Sequence, residues 1–446
     1  MSIELSNRLS TSEKLPGLLT SVANKCLISN SRPQPSEEIF ASLSQTRAEL
    51  ALVLAQRLVQ TKCKDPALKE LMNYAWDNIK SLRGSFERIL IGSEVTYYRT
   101  LLKLLYLALQ VYAPRTDKQE VLRASVIDSA SSSLIPTLLD ILKYVVAAGV
   151  RELASSLHSA SSVDDSTSTP EDLSILTGIL QTILHIPQIE LHSASLVNIF
   201  GSASTARIAT TLYSWSDTLA VNGDPIYGEL SLLFLLELSS IQPMAEQMAI
   251  EGVLGQIASA NITNHLRSGN VGAFVDSIGA QRCYGVWVRG ILPFCLNLLD
   301  AVQIPIASEI SLFLSQFAHL LAQSSQALES PETNRLLSKG QSKFITLTSC
   351  AEIHSLALIS HILNLYKKEI GGEGIVDLEW DGAAVGENAD WWLGSRDVLR
   401  QRIVPMGERE VELSRRKKDG SGDVSLLEVK VVAELEGARS VLNSRY

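Results

Sequence analysis

Two histidines, His354 and His361, stand seven residues apart in an apolar stretch that reads as helix, so they share one face. Two helical turns separate them by about 10 Å. That is too far for one metal ion without further ligands, and packing or surface roles are expected for both. Asp419-Gly420-Ser421-Gly422-Asp423 begins like a calcium loop. Its sixth position needs glycine and carries Val424, and its twelfth needs a bidentate glutamate and carries Lys430. A polar turn between helices is the expected reading. The five cysteines (Cys26, Cys63, Cys283, Cys295, Cys350) form no C-x-x-C pair and are too few for a disulfide scaffold. Their odd number fits a reducing compartment. G-x-S-x-G, H-E-x-x-H, P-loop and G-x-G-x-x-G patterns are absent. No catalytic, cofactor-binding or metal-binding residue is assigned, and the chain is read as non-enzymatic.

Binding chemistry is the remaining possibility. Arg415-Arg416-Lys417-Lys418 is the one basic run, and it suits the last turn of a helix, where the dipole favours cations. A net charge of −9 argues against a phosphate-backbone binder, whose affinity comes from clustered Lys and Arg. Phe200-Gly201 is a single Phe-Gly dipeptide, so the chain is not itself a Phe-Gly repeat protein. Trp287, Phe294, Phe313 and Phe317 lie in leucine-dense helical stretches and are expected in the core. Trp391 and Trp392 differ. Neighbours on a helix point about 100° apart, so one narrow stripe cannot bury both. They are the candidate partner-binding residues.

The elements that must position these groups read as helices throughout. Val95, Tyr98, Leu102, Leu105, Leu109 and Tyr112 step by three and four, as do Ile135, Leu138, Leu142, Val145 and Leu153, and Ile306, Ile310, Phe313, Phe317 and Leu320. Only 426–432 could pass as a strand, and its neighbours allow helix. Asp65-Pro66, Thr169-Pro170, Asp224-Pro225 and Ser330-Pro331 each place a good N-cap before a proline at the first helical position. Helix starts near 36, 65, 93, 117, 135 and 170 fit helix pairs of the size used by HEAT and armadillo arrays. The expected fold is all-α: a right-handed α-solenoid of antiparallel helix pairs. The segment 159–169, rich in Ser, Thr and Asp, is expected to be a disordered loop. Residues 1–370 are expected to form the solenoid. The stretch 371–446 is richer in charge, holds three of the six tryptophans, and is expected to be a helical cap of the same solenoid. The stretches 230–241 and 286–304 are interrupted by Glu237 and by Arg289, Pro293, Asn297 and Asp300 respectively, so no transmembrane span is expected. With no signal-peptide pattern at the start, a soluble intracellular protein is expected.

One stretch carries a family resemblance. Tyr284-Gly-Val-Trp287-Val-Arg289-Gly-Ile-Leu-Pro293-Phe-Cys-Leu-Asn297-Leu-Leu, followed by Glu309-Ile-Ser-Leu-Phe313-Leu-Ser-Gln316-Phe317, resembles the C-terminal tail of the large inner-ring scaffold nucleoporins. The leucine-rich helices at 95–112 and 351–369 are compatible with it. The resemblance implies a fragment of a much longer chain, with a karyopherin-like superhelix, at the nuclear pore complex of the nuclear envelope. It implies a structural role that contributes to nucleocytoplasmic transport and binds a short helical segment of an inner-ring linker nucleoporin, with Phe-Gly repeat nucleoporins as further partners. Direct nucleic-acid binding and membrane insertion are not expected. The competing reading is a karyopherin-like transport adaptor that recognises Phe-Gly repeats or cargo.

Overall fold

The computed structural model of the chain describes residues 14–30, 38–60, 67–84, 86, 90, 92–110, 134–159, 166–275, 277–329, 344–372, 374–415 and 424–443. Among the described residues every regular element is a helix; extended pairing is confined to two isolated bridges, Val221 with Asp224 and Ile345 with Ile403. The expected all-α class is thus observed. The helices gather into two compact units, Met1–Thr205 and Ala206–Tyr446.

The first unit starts with α1 (Lys14–Asn30), α2 (Glu38–Gln60), α3 (Ala67–Arg83) and α4 (Ser93–Leu109). Helix α1 packs on α2 and α3, and both of those pack on α4. Next comes α5, which runs from Ile135–Ile141 through a π-helical turn (Leu142–Ala147) into Ala148–Ser159. Then follow α6 (Pro170–Leu184), a 3-10 turn (Pro187–His192) and α7 (Ser193–Ser202). Helix α6 bridges α4 and α5. Contacts between elements close in sequence are the logic of an α-solenoid. Leu102, Leu105 and Leu109 are buried and Val95 and Tyr98 half-buried, as the α4 stripe requires, while Tyr112 lies outside the described residues. The α5 stripe, Ile135, Leu138, Leu142, Val145 and Leu153, is buried throughout.

Proline-linked caps divide into two outcomes. Thr169-Pro170 starts α6 with a capping box, in which Asp172 accepts from the Thr169 backbone N–H at 2.8 Å. Asp224-Pro225 departs from expectation: Pro225 itself is the N-cap of α9 (Ile226–Ser239), and the Asp224 carboxylate accepts a two-pronged bond from Arg282. A guanidinium fork outbids a single backbone N–H for a carboxylate. Asp65-Pro66 and Ser330-Pro331 lie outside the described residues. In the 159–169 segment Ser159 closes α5, residues 160–165 lie outside the described residues, and Thr167 offers its carbonyl to Arg99 at 2.5 Å.

The second unit continues from α8 (Thr205–Ser214) through α9 to α10 (Gln242–Ile250), α11 (Val253–Ser259) and α12 (Asn261–Arg267). The long α13 (Ile278–Val302) follows, with a π-helical turn at Trp287–Ile291. That turn explains how Pro293 is tolerated inside it: the Leu292 N–H already reaches back five residues to Trp287 O, and the ladder is offset where proline has no donor. Then come α14 (Ile304–Ser315), α15 (Ala318–Ala327), α16 (Leu347–Glu369), α17 (Gly382–Gly394), α18 (Arg396–Arg402), α19 (Gly407–Arg415) and α20 (Leu426–Leu442). The stretch 426–432 is thus helix.

Helix α13 sits at the centre, packed on α9, α10 and α16, and α16 in turn packs on α20, which also receives α17 and α19. The described residues of 371–446 lie in the same compact unit as α16, and the units divide at Thr205/Ala206. By length and composition α13 could cross a membrane, but 61% of its apolar window is buried against its neighbours, as in a core helix. The stripe Ile306, Ile310, Phe313, Phe317 and Leu320 is wholly buried, yet it turns a corner: α14 and α15 meet at 81° around Phe317.

Candidate interaction sites

Helix α17 carries the tryptophan pair. Asp381 caps it by accepting from the Ala384 N–H at 3.0 Å, and Val385, Ala389 and Trp392 line its buried stripe. Trp392 is 2% exposed and its indole N–H donates to Leu328 O at 2.7 Å. Trp391 is half-buried, its ring set edge-on to Trp392 with centroids 4.9 Å apart. The adjacent pair thus divides into one core tryptophan, Trp392, and one half-buried at the surface, Trp391. Trp380 is buried as well and donates to Ser324 Oγ at 3.0 Å.

The other sequence candidates are not brought together. His354 Nδ1 lies 2.7 Å from Glu434 Oε2 across the α16–α20 contact, and His361 is half-buried elsewhere on α16. Among the described residues no cluster of three or more His, Cys, Asp or Glu could hold a metal. Cys283, Cys295 and Cys350 are buried and unpaired. Burial pushes the Cys283 thiol up to about 11 and the other two higher still, so none is a ready thiolate. Arg415 ends α19, whereas Arg416–Lys418 and Asp419–Asp423 lie outside the described residues.

The chemistry that sequence reading missed lies on the two faces of α13. On one face Arg282 and Arg289 reach Glu229 of α9, which is only 8% exposed at its side chain; Arg289 Nη2 stands 2.7 Å from Oε1 and Arg282 bonds Oε2. Helices α9 and α13 approach closely here because residue 290 is glycine: a Cβ there would stand 2.5 Å from Leu232 Cδ2. On the other face Tyr284 and Trp287 donate to Glu352 of α16, at 2.5 Å from the hydroxyl and 2.8 Å from the indole N–H. Glu352 is 1% exposed. Burial pushes its carboxyl up to about 7, against the opposing pull of those two hydrogen bonds. Glu352 also lines a cavity of about 550 Å³, bounded by the 269–275 loop, Gln323, Phe344 and Ser349. A second cavity of about 840 Å³ lies on the far side of that loop, between Pro225, Ile262 and Cys283. One signal could have found Glu352: it occupies a stripe with Ser349, Leu356, Ile359 and Leu363, all buried.

The stretch that carried the sequence resemblance is therefore packing machinery. Tyr284 and Trp287 hold Glu352, Arg289 holds Glu229, and Asn297 donates to Ser239 Oγ at 3.0 Å. Residues 71–442 match the family described as the nuclear pore protein NUP188 C-terminal domain. The chain belongs to that family. Nucleoporin NUP188 of Chaetomium thermophilum is 35% identical over 456 residues, which take in 94% of this chain and 24% of that protein. Nucleoporin NUP188 of Saccharomyces cerevisiae is 22% identical over 338 residues, covering 74% of this chain and 19% of the relative. The solved structure Nup188(aa1445-1827) from Myceliophthora thermophila is 37% identical, with a TM-score of 0.68, and covers 82% of this chain and 98% of that one. The chain thus spans about a quarter or less of the length of these curated relatives. Membership in the NUP188 family makes the chain a nucleoporin of the nuclear pore complex at the nuclear envelope.

Proposed function

We propose that this chain is a non-enzymatic scaffold segment of the inner ring, which holds a short helical segment of a linker nucleoporin and so contributes to nucleocytoplasmic transport. The observation that carries the reading is what the family-like residues do. The distinctive side chains of 284–317 are spent joining helices α9, α13 and α16. A stacked helical array of this kind offers inter-helix grooves for an amphipathic partner helix. Trp391 is the residue assigned to the partner contact, with Trp392 supporting it from the core. A pull-down from nuclear envelope extract, read by mass spectrometry, should recover inner-ring nucleoporins; recovery of soluble cargo instead would overturn the scaffold role. Calorimetry with the recovered linker segment then tests the residue: Trp391→Ala should weaken binding while the protein stays folded, and unchanged affinity removes Trp391 from the site.

A further inference from the structure

Helix α13 places a buried glutamate against each of two neighbouring helices and treats them differently. Glu229 receives two guanidinium groups. Glu352, deeper still, receives a phenol and an indole, both uncharged, and among the described residues no cation is paired with it. A buried carboxyl without a counter-charge is driven toward its neutral form, and a cation brought beside it would favour the charged form instead. Glu352 also lines the cavity of about 550 Å³, and among the described residues the rest of its lining, from the 269–275 loop, Gln323, Gln326 and Phe344, carries no positive charge. Phe274 and Phe344 are 55% and 49% exposed, with ring centroids 6.2 Å apart and planes tilted by 48°. Aromatic faces at a solvent boundary attract cations and cover alkyl stems.

We propose that this cavity receives a basic side chain, a lysine ammonium or an arginine guanidinium, from a partner peptide, which passes Phe274 and Phe344 and pairs with Glu352. Tyr284 and Trp287 act as positioning residues, each holding one carboxylate oxygen of Glu352 at the cavity wall. The complementarity is specific in kind. An acidic or apolar side chain would leave the carboxylate uncompensated, whereas a cation with a long alkyl stem satisfies both the base and the aromatic rim. This goes beyond the scaffold reading, which does not require any particular pocket.

The test uses fluorescence anisotropy on the full chain with labelled amphipathic peptides that are identical except for a central Lys, Arg, Gln or norleucine. The Lys or Arg peptide should bind at least about tenfold more tightly than the Gln and norleucine peptides, since a desolvated charge pair is read in this range or above. Glu352→Gln should erase that preference while circular dichroism shows an unchanged helical content. Phe274→Ala, at a half-exposed ring, should weaken the basic peptides severalfold and carries the test if Glu352→Gln does not fold. Equal binding of all the peptides, binding of none, or a preference that survives Glu352→Gln would overturn the proposal. The nucleoporin pull-down reads the scaffold role separately, so failure of one is distinguishable from failure of the other.

Discussion

Glu229 and Glu352 lie against opposite faces of one helix, and both are withdrawn from water, yet they are built on different principles. The first sits in an ionic ladder, Asp224–Arg282–Glu229–Arg289, in which each carboxylate meets a guanidinium. The same ladder holds the Arg282 guanidinium well above its ordinary range, chiefly through its hydrogen bonds to Asp224. The second is held by neutral donors and is pushed toward protonation. A compensated charge fixes two helices together. An uncompensated one is a latent demand for a proton or a cation. The contrast teaches that burial of an acid says little until its donors are named.

The comparison breaks most visibly at Arg282. Arg282→Ala strips Asp224 and Glu229 of their shared partner, and losing one member of a buried pair costs about 3–5 kcal/mol. Urea denaturation should show a matching fall in midpoint, and a loss below about 1 kcal/mol, the range of a surface pair, would contradict the ladder.

Next comes pH. The Glu352 carboxyl is raised from 4.5 to about 7, which at roughly 1.4 kcal/mol per unit amounts to about 3 kcal/mol. Between those values the folded chain holds the proton more firmly than the unfolded chain does. The contribution is therefore complete below 4.5 and is lost as pH rises through about 7. Glu352→Gln should accordingly gain on the wild type by up to about 3 kcal/mol between pH 5 and pH 8, with other titrations common to both proteins. Parallel stability curves would show that the carboxyl titrates as an ordinary one.

Smaller effects sharpen the picture. Gly290→Ala would drive a methyl into Leu232 and should cost about 1–3 kcal/mol, by forcing α9 and α13 apart at the ionic face. Smallest is Arg289→Ala. Its side chain is 60% exposed, and with Arg282 still in place the loss should stay under about 1 kcal/mol. If Arg289→Ala matches Arg282→Ala, the two arginines share the load equally and the ladder has no dominant member.

Much of this fold was legible in the residues. The buried stripes of α4, α5 and α14–α15 are those that the three-and-four spacing marks out, and Thr169-Pro170 caps α6 as its composition requires. Trp391 and Trp392 separate into surface and core because adjacent side chains must diverge. Other features were not legible. Asp224 reads as a helix cap and is instead an arginine partner. Glu352 reads as one more charge on a helix and is instead the most deeply held acid described.

The physical reason is range. Helices, caps and apolar stripes follow from the amino-acid sequence alone because their hydrogen bonds and burial preferences act within a turn or two of the chain. Glu352 draws its donors from 68 and 65 residues away, and Arg282 reaches back 58 residues to Asp224. Only the register in which α13 settles against α9 and α16 decides which carboxylate meets a guanidinium and which meets a phenol and an indole, and no local spacing encodes that register.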